Sequence, residues 1–262
     1  MKKREISSQD MKFSFSMAFK TLKNNDQLLI IISVFTLIMI APVLSNTVAL
    51  YYFKYVWHDF NAFSIFVLPA GAGMAISLVA YPFAAKKISR RKVFIYSLLL
   101  SMAGYVSMFF TGYFGSTVFI MLPAVFLTFL GFGCMGIIQS VFLVDTVEYG
   151  EWKQGYRSEN IVFAMLTFLG KFSGALAALI VGGVLQIVGY ISTDEDVKGV
   201  FDEATEIIKQ PDGVASALNI LMFAVPPLLI AAALWLYLKK YRLYGDFMDE
   251  VTAALQAKRE GQ

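Results

Sequence analysis

Six long apolar runs dominate this sequence and restrict what it can fold into. They cover approximately residues 28–53, 62–85, 93–113, 117–144, 160–189 and 217–238. Each run is long enough to cross the roughly 30 Å hydrocarbon core of a membrane as a helix, and a strand would need only about 9–11 residues. Charged residues make up only 16% of the chain, against about 25% in soluble domains. The sequence therefore predicts an all-α membrane protein with six transmembrane helices.

The positions of the basic residues orient these spans. Of the 22 Lys and Arg residues, eighteen fall in the leader, the 86–92 loop, the 153–157 loop and the tail. A six-span topology places these four segments on one side of the membrane. Because cytoplasmic loops carry an excess of Lys and Arg, we expect a multi-pass protein of the cell (inner) membrane with both termini in the cytoplasm.

The chain divides accordingly into three parts. Residues 1–27 form a cytoplasmic leader, residues 28–241 a six-helix transmembrane bundle, and residues 242–262 a cytoplasmic tail. Within the leader, Phe15, Phe19 and neighbouring apolar residues recur at helical spacing among lysines. This pattern predicts a short amphipathic helix on the membrane surface; a disordered basic tail is the alternative.

Apparent enzyme motifs have better explanations. The run GFGCMG at 131–136 matches a dinucleotide-binding pattern, but that mechanism needs a preceding strand and a helix N-terminus. Inside a membrane helix, the same small residues favour close helix packing. His58 is the only histidine and Cys134 the only cysteine. We therefore expect no enzyme activity, no metal or cofactor site and no nucleic-acid partner.

A first group of charges follows the fourth run. Asp145, Glu148 and Glu151 recur every three residues, and Arg157 follows after a turn at Gly155. The three acids share one helix face near the predicted cytoplasmic end, and the arginine can fold back towards them. Arg90 and Arg91, in the 86–92 loop, are the nearest further cations on the same side. Such groups can form ion pairs that hold helix ends together; the alternative is a solvated loop with charges of both signs.

The second feature is a lysine inside the fifth run. Lys171 lies about 16 Å from the nearer membrane boundary at ~1.5 Å per residue, beyond the reach of a side chain of about 6 Å. Thr167 lies one turn before it, and Gly170 and Gly174 keep that side smooth. We expect a water-filled or substrate-filled interior beside this lysine. The spans contain no Asp or Glu except Asp145 at an end, so its partner must come from a ligand, another polypeptide or a portion not present here.

Several stretches resemble one transporter family. They are DTVEYGEWKQGYRSEN with the later GK and GGVLQIVGY, then ALYYFKYV at 49–56, KKISRRK at 86–92 and LYLKKYRLYGD at 236–246. These are similar to the glycoside–pentoside–hexuronide:cation symporters of the melibiose permease type. The resemblance implies a major facilitator fold, in which two six-helix bundles hold substrate between them at mid-membrane. This chain is similar to the second, C-terminal bundle.

The resemblance also implies roles for particular residues. Lys171 and Thr167 correspond to positions that face the sugar cavity. The positions corresponding to the cytoplasmic gate are Asp145, Glu148, Glu151 and Arg157, with Arg90 or Arg91 as partner. The coupling cation, Na⁺ or H⁺, would bind in the N-terminal bundle, and no other cofactor is implied.

The expected function is therefore that of the C-terminal half of a sugar:cation symporter working by alternating access. Its partners would be membrane lipid, a sugar or glycoside, and an N-terminal bundle, without which we expect no transport. A truncated non-transporting membrane protein and one half of a split transporter are the alternatives. A membrane-embedded enzyme would need polar groups converging from several helices, and a sensor would need no mid-membrane lysine.

Overall fold

A computed structural model describes residues 21–58, 61–113, 118–191, 201–202, 207–208 and 210–260. Six of its helices are long and apolar enough to cross a membrane, which confirms the predicted all-α, multi-pass architecture. The amphipathic helix predicted for the leader lies outside the described residues, apart from a helical turn at 21–24.

The elements follow the apolar runs closely. In chain order the helices are α1 (Asp26–Tyr55), α2 (Asn61–Lys87), α3 (Arg90–Tyr113), α4 (Val118–Gln154), α5 (Glu159–Ile187), α6 (Asp212–Asn219), α7 (Val225–Lys240) and α8 (Asp246–Glu260). A π-helical segment, Ile220–Ala224, joins α6 to α7, so that the three together form the sixth span. Between α5 and α6, the two-residue strands β1 (Phe201–Asp202) and β2 (Ile207–Ile208) pair antiparallel.

The bundle is organised around α1 and α4. Helix α1 packs against α5 and α7, while α4 packs against α2 and α3. Asn25 links the two groups, because its side chain accepts from the Leu28 amide at 2.9 Å and donates to the Thr146 carbonyl at 2.9 Å. One buried side-chain amide therefore both caps α1 and connects it to α4.

Small residues bring α4 close to its neighbours. A Cβ added at Gly131 would lie 2.5 Å from the Ser97 carbonyl oxygen of α3. One added at Gly73 of α2 would lie 2.6 Å from the Phe126 carbonyl oxygen of α4. The GFGCMG run therefore lies within a membrane helix where it permits close packing, as the sequence predicted.

The fourth helix is longer than its apolar run. The run ends near residue 144, but α4 continues to Gln154, because the Glu and Gln residues of this stretch favour the helix enough to carry it past Gly150. Gly155 ends the helix with φ +78°, a conformation that favours glycine at this position. The acidic residues after the run are therefore held on a rigid helix rather than in a loop.

The backbone of the last span is interrupted. Pro226 has no N–H, so the Met222 carbonyl lacks the donor that an α-helix would provide. Ser45 of α1 donates to that carbonyl at 2.8 Å, and the Tyr105 hydroxyl of α3 lies 3.2 Å from the Ser45 oxygen. One buried hydroxyl thus joins α1, α3 and the π segment.

Candidate functional site

One end of the bundle, here called the basic end, gathers the charged segments. The start of α3, the end of α4 and the segment from residue 241 to α8 meet there, because Arg90 contacts Asp145, Arg91 contacts Tyr244, and Arg259 contacts Glu151. The gate residues predicted from the sequence all lie at this end.

Asp145 joins α4 to α3. It is a buried carboxylate, 8% exposed, and its Oδ1 lies 3.6 Å from Nη1 of Arg90, the first residue of α3. This is an ion pair without a hydrogen bond, so its geometry is loose compared with a bidentate arginine–carboxylate pair. Of the two arginines that the sequence proposed as partners, the structure brings Arg90 to Asp145.

Glu151 is shared between two arginines. Its Oε2 accepts from Nη1 of Arg157 at 3.2 Å and from Nη2 of Arg259 at 3.0 Å. Arg157 also donates from Nε to Glu159 at 3.0 Å, so it connects the end of α4 to the start of α5. Partial burial by itself lowers the pKa of Arg157, but the hydrogen bonds that Arg157 donates to Glu159 and Glu151 outweigh this effect and raise that pKa. Arg157 therefore folds back onto α4, as its position after Gly155 predicted.

Two predicted gate residues do not join an ion pair in the described part of the chain. The Arg91 guanidinium lies 3.9 Å from the centroid of the Tyr244 ring, in a cation–π contact. Glu148 is half-buried on the same face of α4 as Asp145, without an ion-pair partner among the described residues.

The sequence did not predict two other contacts. Arg259 reaches Glu151 from α8, where Val251, Leu255 and Arg259 recur every four residues and so share one face. Val251 and Leu255 are buried. Their four-residue spacing was the sequence signal that could have predicted that Arg259 faces the bundle. Asp26 pairs with Lys153 and accepts from the Tyr149 hydroxyl at 3.0 Å, which ties the start of α1 to α4. Nothing in the local pattern around Asp26 pointed to that partner.

Helix α5 presents its predicted site residues away from the bundle. Its buried residues Leu169, Ser173, Ala177, Val181 and Leu185 recur every four positions. This stripe packs against α1. Lys171 lies about 200° from Leu169 and from Ser173 at ~100° per residue, and it is exposed on the opposite side.

Thr167 lies on the same outward face as Lys171. It is exposed, and its hydroxyl donates to the Phe163 carbonyl at 3.5 Å. Lys171 forms no ion pair with the described residues. A Cβ added at Gly170 or Gly174 would meet nothing within 4 Å, so this GxxxG face forms no close helix contact within the described chain. Lys171, near the middle of α5, thus faces away from the other described helices.

A cleft of about 450 Å³ opens between α1 and α2. Its lining is mostly apolar, with Phe66 and Met74 from α2, and the polar side chains Asn46 and Thr47 from α1. Neither Lys171 nor Thr167 lines it. Among the described residues, no group of three or more His, Cys, Asp or Glu side chains could hold a metal ion.

The described chain thus has six helices long and apolar enough to cross a membrane, and a lysine on the outward face of one of them forms no ion pair with the described residues. The model of the family described as MFS/sugar transport protein matches residues 1–244. The chain therefore belongs to the MFS/sugar transport protein family, a family of transporters and not of enzymes.

Curated relatives agree with this assignment. The chain is 28% identical to the isoprimeverose transporter of Lactiplantibacillus pentosus over 67% of its own length and 36% of that protein. It is 30% identical to a putative sulfoquinovose importer of Escherichia coli K12 over 71% of its length and 37% of that protein. With the raffinose carrier protein of Pediococcus pentosaceus it shares 28% identity over 91% of its length and 35% of the carrier. The chain thus spans about a third of the length of these relatives.

Proposed function

We propose that this chain provides one six-helix half of a sugar:cation symporter, driven by Na⁺ or H⁺ and working by alternating access. The observation that carries the proposal is Lys171 near the middle of α5, which faces outward and forms no ion pair with the described residues. An ammonium facing lipid at this depth costs about 2.5–3.5 kcal/mol on insertion scales. A second bundle, on this polypeptide or another, would cover that face and replace lipid with a polar cavity.

The substrate of this cavity is a sugar or glycoside. Relatives are named for isoprimeverose, raffinose and sulfoquinovose, which share several hydroxyl groups. Lys171 offers three N–H donors and Thr167 a hydroxyl, and both groups suit hydroxyl-rich ligands. Lys171 also suits an anionic sugar. These two residues therefore support sugars as the substrate class but do not identify one particular sugar. Among the described residues no carboxylate forms an ion pair with Lys171, so we place the cation site in the second bundle.

The charges of the basic end form the gate on the cytoplasmic side. Asp145 with Arg90, and Glu151 with Arg157, connect three consecutive helices at one membrane boundary. These partly exposed pairs are weak enough to break in each transport cycle. The excess of Lys and Arg at this end supports a cytoplasmic location in the cell inner membrane.

Co-expression tests the proposal. The chain is expressed alone, and also together with the N-terminal six-helix segment of a related sugar symporter, in cells that lack the corresponding transporter. We expect accumulation of labelled sugar only when both bundles are present, because alternating access needs two bundles moving about one site. The N-terminal segment alone is the control. Uptake at the full rate by the chain alone, or none with any matching bundle at normal membrane levels, would contradict the proposal.

A further inference from the structure

A second cavity lies at the basic end, outside the proposed sugar site. This basic cleft has a volume of about 520 Å³, within the range of roughly 300–1,000 Å³ typical of small-molecule sites. Arg90, Arg91 and Lys92 from the start of α3 line one wall, and Tyr244 lies on the wall after α7. Apolar side chains, Ile95 and Phe142, line it as well.

Positive charge in the basic cleft is incompletely neutralised. Arg91 and Lys92 form no ion pair with the described residues, and Arg90 has only the loose contact with Asp145 at 3.6 Å. Asp249 also lines the cleft but forms no ion pair within the described chain. Three cations therefore face two carboxylates, and two of the three are available to a ligand.

Arg91 is oriented in advance for such a ligand. Its guanidinium carbon lies 3.9 Å from the centroid of the Tyr244 ring, so the ring supports one side of the group, and its N–H donors have no acceptor among the described residues. A planar guanidinium edge matches two oxygens of a phosphate group, and a neighbouring lysine adds a point charge. Ile95 and Phe142 supply apolar surface for the carbon part of a phosphate ester.

We propose that the basic cleft binds the phosphate group of an organic phosphate, either the headgroup of an anionic phospholipid or a soluble phosphate ester. The cleft lies where α3 passes from its cationic first turn, Arg90 to Lys92, into the apolar run that begins at Val93. It is thus at the height of lipid headgroups, where basic pockets between membrane helices bind them. The site does not depend on the proposed transport function.

Native mass spectrometry of the full chain in dodecyl maltoside tests the site. Dioleoylphosphatidylglycerol and dioleoylphosphatidylcholine are titrated separately, with glycerol 3-phosphate as a soluble competitor. We expect one equivalent of phosphatidylglycerol to bind in preference to phosphatidylcholine. The double variant Arg91→Gln/Lys92→Gln should weaken the binding of phosphatidylglycerol about 30-fold, because each cation contributes about 1 kcal/mol, or about fivefold in affinity. The matched control, Lys239→Gln/Lys240→Gln, removes two exposed cations of α7 outside the cleft and should stay within about twofold.

A second variant distinguishes binding at an ordered site from non-specific electrostatic attraction. Tyr244→Leu keeps every charge but removes the stacking that orients Arg91, and we expect about two- to fivefold weaker binding. Competition by millimolar glycerol 3-phosphate would identify a soluble phosphate ester as sufficient, while binding without such competition would identify the lipid as the source. The proposal fails if neither ligand binds to chain of normal helical content. It also fails if the two double variants weaken binding equally, or if Tyr244→Leu has no effect.

Discussion

At the scale of single residues, Ser45 supplies a hydrogen bond that the backbone of the last span lacks. Its hydroxyl donates to the Met222 carbonyl, to which Pro226 cannot donate because it has no N–H. We predict that Ser45→Ala lowers the free energy of unfolding by about 1–3 kcal/mol, because a buried acceptor is left unpaired. The measurement is the shift of the SDS-unfolding midpoint, converted to free energy.

Ser33→Ala is the matched control for this variant. Ser33 is exposed on the same helix, and its hydroxyl donates to the Leu29 carbonyl at 2.9 Å, four residues earlier. We expect this change to stay within about 0.5 kcal/mol. Equal shifts for Ser33→Ala and Ser45→Ala would contradict the role given to Ser45.

Lys171 is the residue on which substrate recognition is expected to depend. In the two-bundle transporter, Lys171→Met should weaken sugar binding at least about tenfold, because a charge-assisted hydrogen bond contributes roughly 1.5–3 kcal/mol. Lys171→Arg, which keeps the charge, should lose less. The measurement is the displacement of a labelled sugar from membrane vesicles. Unchanged affinity in the Met variant, at equal expression, would remove Lys171 from the site.

At the scale of elements, Arg157 controls how the end of α4 is held against α5. Arg157→Ala removes one of the two arginines on Glu151 and the partner of Glu159. We predict that the basic end opens more often, by up to about fivefold, because a partly exposed pair contributes up to about 1 kcal/mol. The readout is the rate at which the thiol of Ser158→Cys, at a buried position between Arg157 and Glu159, reacts in a Cys134→Ser background in the two-bundle transporter.

Lys258→Ala provides the comparison for the gate. Lys258 is exposed on α8 and forms no ion pair with the described residues, whereas its neighbour Arg259 contacts Glu151. Thiol reactivity should therefore stay at the parent value in Lys258→Ala. If Arg157→Ala also left the rate within about twofold of the parent, the charges of the basic end would be a solvated surface and not a gate.

The elements also show what the sequence could and could not predict. The spans were predicted well because apolar length is a strong local signal, and the shared face of Asp145 and Glu151 follows from helical spacing. Apolarity stops near residue 144, but the three-residue spacing of the acids predicted that the helix continues beyond that point, and α4 extends to Gln154. The choice between Arg90 and Arg91, and the contact of Asp26 with Lys153, depend on how distant helices are rotated, which one sequence does not encode locally.

At the scale of the whole molecule, the orientation in the membrane is open to direct test. A single cysteine is introduced at Ser89, or at Thr193 in the acidic stretch STDEDVKGVFDEATEIIKQPDG at 192–213, in a Cys134→Ser background. We predict that a membrane-impermeant maleimide labels the Thr193→Cys chain in intact cells, and the Ser89→Cys chain only after permeabilisation. The physical reason is the excess of Lys and Arg on the side of Ser89. The reverse labelling pattern would invert the topology.

The length of α4 has a mechanical consequence. Its 37 residues make a rod about 55 Å long at ~1.5 Å per residue, while the hydrocarbon core is about 30 Å thick. About 25 Å of the rod therefore stands clear of the core, with Glu151 close to its tip. A tilt of about 15° around mid-membrane, comparable to known rigid-body switches, would move that tip by about 10 Å. Because of its length, α4 converts a small rotation of the bundle into a large displacement of its end. Such a rotation is enough to separate Glu151 from any partner that does not move with α4.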